Sequence, residues 1–214
     1  MTNIDVSPRL SPRPSSSPLS RPLSRPSITL ASASPRRREL LEQIQVSYTV
    51  LPANIDETQI EGESAEQFVK RLALEKAQCV YRQSPERPAL GADTIVIIDQ
   101  QILGKPESQD HAKHMLKMLS GNMHLVMTAV AIDNGETQHV VLSTSEVEFV
   151  QLSDQQIDAY WLTGEPIDKA GAYAIQGIAA QFIKNINGSY SSIMGLPLYE
   201  TTELLKLVGI KLLK

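Results

Sequence analysis

The run ALGADTIVII, residues 89–98, constrains the fold more than any other stretch of the chain. It is rich in Ile and Val and lacks a regular polar alternation, as a strand covered on both faces does. A strand over 28–31 leads to a helix start at Ser34, the N-cap, with Pro35 at the first helical position. Leu40, Leu41 and Ile44 then form an apolar stripe. A strand over 46–51 and a polar loop over 52–62 follow. Ser64 and Gln67 have the spacing of a capping box, which opens a helix to about residue 82, striped by Phe68, Leu72, Ala73, Cys79 and Val80. Helices are also predicted over 108–120, closed by Gly121, over 153–162, capped by Ser153, and over 198–207. Strands over 126–132 and 140–150 meet at Asn134-Gly135, a hairpin signal, and a last strand covers 181–186. Early alternation with a central hairpin predicts an α/β fold whose sheet is of mixed direction.

The first 27 residues stand apart, with eight Ser, six Pro and four Arg. Closely spaced prolines forbid a continuous helix, and few apolar residues remain to offset the entropy of ordering. Residues 1–27 read as a disordered tail and 28–214 as one folded domain. The tail lacks the apolar run of a secretory signal. The whole chain carries a net charge of −4, and the body without the tail carries 16 basic and 23 acidic residues. Such a balance argues against a general nucleic-acid binder, so a polyanion must be met by a local basic cluster or a metal. The single cysteine, Cys79, excludes an internal disulfide and a cysteine-rich zinc site. A reducing, cytoplasmic setting and no membrane partner are expected, since no stretch has the length of an apolar span.

The densest polar signal is SASPRRREL, residues 32–40. A strand ends there and a helix begins with Arg36, Arg37 and Arg38 in its first turn, where the dipole disfavours cations. Such a local cost often marks function. The hydroxyls of Ser32 and Ser34, free backbone N–H groups and guanidinium forks would together clamp phosphate. Three solvated arginines on an exposed turn are the plainer alternative. The P-loop pattern is absent.

Asp93 and Thr94 lie within the apolar run, so Asp93 is either buried with a partner, functional, or a turn cap before a strand. Asn54-Ile55-Asp56-Glu57 places two acids in a loop, where they ligate a hard cation or are simply solvated. Gly104-Lys105-Pro106 presents one lysine on a turn. Lys76 lies near the apolar face of its helix and must snorkel or meet an acid. Two Gly-containing stretches, KAGAYAIQG and NGSYSSIMGLP, carry Tyr173, Gln176, Tyr190 and Ser191. A glutamine amide matches the donor and acceptor of a uracil or thymine edge, although two tight structural loops would use the same residues. His111 and His114 read as solvated, and His124 and His139 have no partner at ligand spacing. Cys79 reads as a small core residue. No GxSxG elbow supports serine catalysis.

Taken in order, LASASPRRREL, NIDE, GADTIV, GKP, KAGAYAIQG and NGSYSSIMGLPL resemble the Maf family of nucleoside triphosphate pyrophosphatases, also called septum formation inhibitors. The resemblance spans about residues 28–210. It implies a mixed twisted sheet with helices on both faces and two lobes around a cleft, similar to inosine triphosphate pyrophosphatases, and frequent homodimers. It also implies hydrolysis of a phosphoric anhydride in a nucleoside triphosphate, giving monophosphate and pyrophosphate, with Mg²⁺ or Mn²⁺. Asp93 matches the family's proton acceptor. Arg37, Thr94 and Gln176 match positions that affect substrate choice. Ser32, Arg36, Glu57, Lys76 and Lys105 match polar positions around the phosphates and metal, with Glu57 and Asp93 facing the metal. SPRR, GADT and IQG look like the dTTP/UTP-preferring branch. SPWRR, GSDQ and SEG would mark the 7-methyl-GTP branch, and the only tryptophan here is Trp161. The older family name supports a second reading, a regulatory binding protein of cell division. A third keeps the enzyme and makes its substrate a modified nucleotide.

Overall fold

The computed structural model describes residues 27–212, so the tail prediction for residues 1–26 lies outside the described residues. Among the described residues, seven strands form one sheet: β1 (Ile28–Leu30), β2 (Tyr48–Val50), β3 (Ala89–Ile98), β4 (Gln101–Leu103), β5 (Met123–Asp133), β6 (Gln138–Phe149) and β7 (Ile183–Asn187). Six α-helices accompany them: α1 (Pro35–Gln43), α2 (Ala65–Gln83), α3 (Gln109–Leu119), α4 (Asp154–Leu162), α5 (Tyr190–Met194) and α6 (Leu198–Leu207). The strand order is β2-β1-β3-β5-β6-β7, with β4 paired to β3. β1 runs parallel to β2 and β3, and the other pairings are antiparallel. This is the mixed sheet expected from the sequence.

Strand β3 is nearly buried along its length because both of its faces are covered. Ile95 and Ile97 pack with Phe68, Val69, Leu72, Ala73 and Ala77 of α2. On the opposite face the core divides. Leu90 and Ala92 join α1 and α6 through Leu40, Leu41, Leu204 and Leu205. Val96 and Ile98 join α3 and α4 through Met115, Leu116, Ile157 and Tyr160. Full burial of each such aliphatic side chain contributes about 1.5–3 kcal/mol. Between these two clusters, at Thr94, the face is polar, and a cleft separates the lobes.

The second edge of β3 opens at the same level. β1 pairs with it only as far as Leu90, and β4 begins only at Val96. Residues 91–95 therefore have a sheet neighbour on one side only, and Asp93 and Thr94 border an opening between the ends of β1 and β4.

Local signals explain most elements. Ser64 and Gln67 form the predicted capping box of α2, and Ser153 and Gln156 form another at α4. Asn134 accepts the N–H groups of Glu136 and Thr137 in the β5–β6 hairpin. Ser34 does stand at the N-cap of α1, but its side chain makes no capping bond. Ser32 Oγ instead accepts from the Ser34 N–H at 3.2 Å, because the turn bends back on itself before the helix. Cys79 is half-buried rather than core, since it lies at the side of α2 under Asn54 and Gln83. His124 is buried, with Nε2 2.9 Å from the Tyr173 hydroxyl. The short strand β4 and the one-turn helix α5 were not expected from the sequence.

Candidate active site

Helix α2 crosses β3 at Gly91. A Cβ there would lie 2.2 Å from the Ala73 carbonyl oxygen, so only glycine permits this approach. The close packing brings Lys76 of α2 onto Asp93, which points to the same face of β3. Lys76 Nζ lies 2.7 Å from Asp93 Oδ1 and 2.8 Å from Glu57 Oε1. Lys76 is thus buried against two acids, one of the alternatives its helical position allowed. Glu57 reaches the pair from the loop after β2. Burial pushes its carboxyl up, but the hydrogen bond and charge of Lys76, with Lys105 and Arg37 behind, leave it below the usual glutamate value.

On the other side of β3, the first turn of α1 directs Arg37 across the cleft. Its Nε donates to Gly195 O at 2.8 Å, Nη1 to Ser32 Oγ at 3.1 Å and Nη2 to Thr94 Oγ1 at 3.3 Å. Gly195 closes α5 in the left-handed region, at φ 113°, and this turns its carbonyl toward the guanidinium. Arg36 Nε donates to Met194 O at 3.4 Å. Burial lowers both arginine pKa values from their ordinary range. At Arg37 the charges of Asp93 and Glu57 oppose this effect and Arg36 adds to it. Both groups stay cationic at any physiological pH.

Ten of the residues singled out from the sequence line one cavity of about 800 Å³: Ser32, Ser34, Arg36, Arg37, Glu57, Lys76, Asp93, Thr94, Lys105 and Gln176; Arg38, the third arginine of the cluster, is outside its lining. Lys105 is exposed on the turn after β4, and Gln176 is exposed on the loop before Ile178–Phe182, a short 3-10 helix. Glu165 fixes that loop: its carboxylate accepts from the Ile178 and Ala179 N–H groups and from Tyr160 Oη. Tyr190 is outside the cavity lining, and Ser191 Oγ accepts from Leu198 N, a structural role.

Lys169 also lines the cavity, although sequence reasoning named only its motif. The Gly171 N–H donates to Gly104 O at 3.0 Å and ties this segment to the turn carrying Lys105. Burial, then the charge of Arg36, lowers the Lys169 pKa, with Asp168 and Glu165 opposing and Lys105 adding. Five cationic side chains, Arg36, Arg37, Lys76, Lys105 and Lys169, thus share the cavity with three carboxylates, Glu57, Asp93 and Asp168. An acidic chain has gathered a locally cationic cleft, suited to a compact polyanion. No three His, Cys, Asp or Glu side chains among the described residues form a complete metal site. No described helix is long and apolar enough to cross a membrane.

The family profile described as Maf-like protein matches residues 27–208. The chain is 53% identical over 182 residues to a dTTP/UTP pyrophosphatase of Pseudoalteromonas atlantica, covering 83% of this chain and 95% of that protein. It is 51% identical over 185 residues to a dTTP/UTP pyrophosphatase of Alkalilimnicola ehrlichii, covering 83% and 91%. A protein of the same name from Shewanella frigidimarina is 52% identical over 184 residues, covering 82% and 94%. A cleft built from these motifs, a match over nearly all the described residues and relatives near half identity place the chain in one family: it belongs to the Maf-like proteins.

Proposed function

We propose that this chain is a nucleoside triphosphate pyrophosphatase that prefers dTTP and UTP and releases the monophosphate and pyrophosphate. One observation carries the reading. The acidic pair Asp93 and Glu57, bridged by Lys76, faces the same cavity as the arginines of α1 and Gln176. The names of the relatives support the pyrimidine preference.

The chemistry follows from the residue types. Arg36, Arg37, Lys105 and Lys169 attract the triphosphate, and Ser32 and Ser34 add hydroxyls at the helix start. Lys76 sets one positive charge between the Asp93 and Glu57 carboxylates, beside the place of the polyanion. Asp93 accepts a proton from a water whose oxygen attacks one phosphorus of the α–β linkage. The bond to the bridging oxygen breaks, the monophosphate and pyrophosphate separate, and the cations stabilise the charge that develops on the departing phosphate oxygen. Lys76 engages one oxygen of each carboxylate and leaves the other for a hard cation. Such cations take one or two protein carboxylates and complete their shell with phosphate oxygens and water, so Glu57 and Asp93 suit Mg²⁺ or Mn²⁺. When bound, the cation would neutralise phosphate charge and polarise the attacked phosphorus.

Gln176 makes no protein hydrogen bond among the described residues, and its amide is available for a base edge. The test is pyrophosphate release from a panel of canonical and modified nucleotides, with and without Mg²⁺. The reading predicts fastest release from dTTP and UTP. It fails if no nucleotide yields pyrophosphate, or if a purine triphosphate is preferred.

A further inference from the structure

Thr94 and Thr128 stand directly opposite each other across β3 and β5. On the same face, the pair Ala92–Val130 on one side belongs to the core under α1 and α6. The pair Val96–Val126 on the other side belongs to the core under α3 and α4. The two threonines are therefore the polar seam where the lobes divide. Thr128 is fully buried and does not line the cavity, so it has no access to substrate.

Its hydroxyl nevertheless connects to the cavity. Thr128 Oγ1 lies 2.8 Å from the Ser192 carbonyl oxygen and 3.0 Å from Thr94 Oγ1. Thr94 Oγ1 lies 3.3 Å from Arg37 Nη2. Each hydroxyl has one proton, a carbonyl oxygen can only accept, and a guanidinium can only donate. All three contacts coexist in one arrangement. Thr128 gives its proton to Ser192, Thr94 gives its proton to Thr128, and a Thr94 lone pair is left to accept from Arg37.

A second connection runs through α5. The Ser192 carbonyl also accepts from the Gly195 N–H at 2.8 Å, and the Gly195 carbonyl accepts from Arg37 Nε at 2.8 Å. Thr128 thus supports two of the three contacts that orient the Arg37 fork. Chains of hydrogen bonds in a buried setting strengthen one another.

We propose that Thr128 is a positioning residue for substrate recognition: it fixes the direction of the hydroxyl chain and so holds the Arg37 guanidinium in its binding orientation. This rests on the reading that Arg37 meets the triphosphate. Without the Thr128 hydroxyl, Thr94 can turn its proton toward Arg37, donor against donor, and the guanidinium loses its fixed orientation. A fork placed this way acts on substrate binding more than on the chemical step.

The test compares Thr128→Val, Thr128→Ala and Thr128→Ser in the full chain. Pyrophosphate release from dTTP and UTP gives kcat and KM, and calorimetry gives the dTTP Kd. Both hydroxyl-free variants are expected to raise KM and Kd about ten-fold, as loss of one to two buried hydrogen bonds does, with kcat within about three-fold. Thr128→Ser keeps the hydroxyl and is expected to stay within about two-fold. In an Arg37→Lys background, Thr128→Val should add less than about two-fold, since residues acting through one group are not additive. The proposal is overturned if the hydroxyl-free variants leave KM and Kd unchanged. It is equally overturned if Thr128→Ser loses as much as they do, or if Thr128→Val has its full effect without Arg37. A wild-type chain that releases no pyrophosphate would defeat the catalytic reading instead, and the Kd comparison would still decide the role of Thr128.

Discussion

Lys76 Nζ approaches Asp93 Oδ1 to 2.7 Å inside the protein, and this contact joins the longest of the helices to the central strand at the candidate site. Both side chains are nearly removed from solvent. Removing one member of a buried pair leaves the other uncompensated, which costs about 3–5 kcal/mol. Lys76→Met should therefore lower stability by that order and reduce turnover sharply. Urea unfolding and pyrophosphate release check the two effects separately. A variant as stable as wild type would contradict the pairing.

Gly91 sets the distance across which that pair forms. Gly91→Ala places a methyl group against the Ala73 carbonyl and the Ala77 amide nitrogen, both backbone atoms that cannot rotate away. Overpacking of this kind costs about 1–3 kcal/mol. The shift of α2 should also weaken turnover, because Lys76 moves with the helix. Crystallography or denaturation combined with kinetics would test this, and an unchanged kcat would argue that the Lys76 position is not critical.

His124 makes stability depend on acid. Burial pushes its pKa down to about 4. The unfolded chain takes up this proton near pH 6.5 and the folded chain only near pH 4, so the unfolded state gains protons first as pH falls. Stability is unaffected above this window and declines through it, by about 2 kcal/mol between pH 6.5 and 5. His124→Gln removes the titration. Its unfolding free energy should fall less than that of wild type between pH 7.5 and 5, and equal slopes would contradict the account.

Gln176 is expected to govern base choice rather than the chemical step. Gln176→Glu removes the amide donor and adds a charge, which should lower the ratio of UTP to CTP turnover by about ten-fold or more, since one mismatched polar contact has that effect. Competition assays with both nucleotides read this ratio directly. An unchanged ratio would remove Gln176 from base recognition.

Much of this arrangement was legible in the sequence because its signals are local. The β3 run required cover on two faces, and the boundaries of β3 and α6 were read correctly from apolar patterning. A capping box marked α2, the Ser153 cap marked α4, and Asn134-Gly135 marked the hairpin. Six motifs in order pointed to one family, and the residues carried over from them converge on one cavity. Features that depend on long-range contact were less legible. β4 is three residues long and is defined by its partner β3, not by a pattern of its own. α5 is a single turn hidden in a Gly- and Ser-rich stretch. Thr128 sits in an ordinary strand sequence, and only its register opposite Thr94 reveals it. Glu165 holds the Gln176 loop through backbone N–H groups more than ten residues away, which no spacing rule would find. Lys169 lay inside a recognised motif, and only the cavity singles it out.

The proposed reaction depends on the Asp93 carboxylate taking the proton of the attacking water. Asp93→Asn keeps the shape and the contact with α2 but removes the base. With saturating Mg²⁺ and dTTP, kcat should fall by about 10²-fold or more while dTTP binding persists, since general-base help is of that size. A variant that folds, binds dTTP and releases pyrophosphate at close to the wild-type rate would contradict the account.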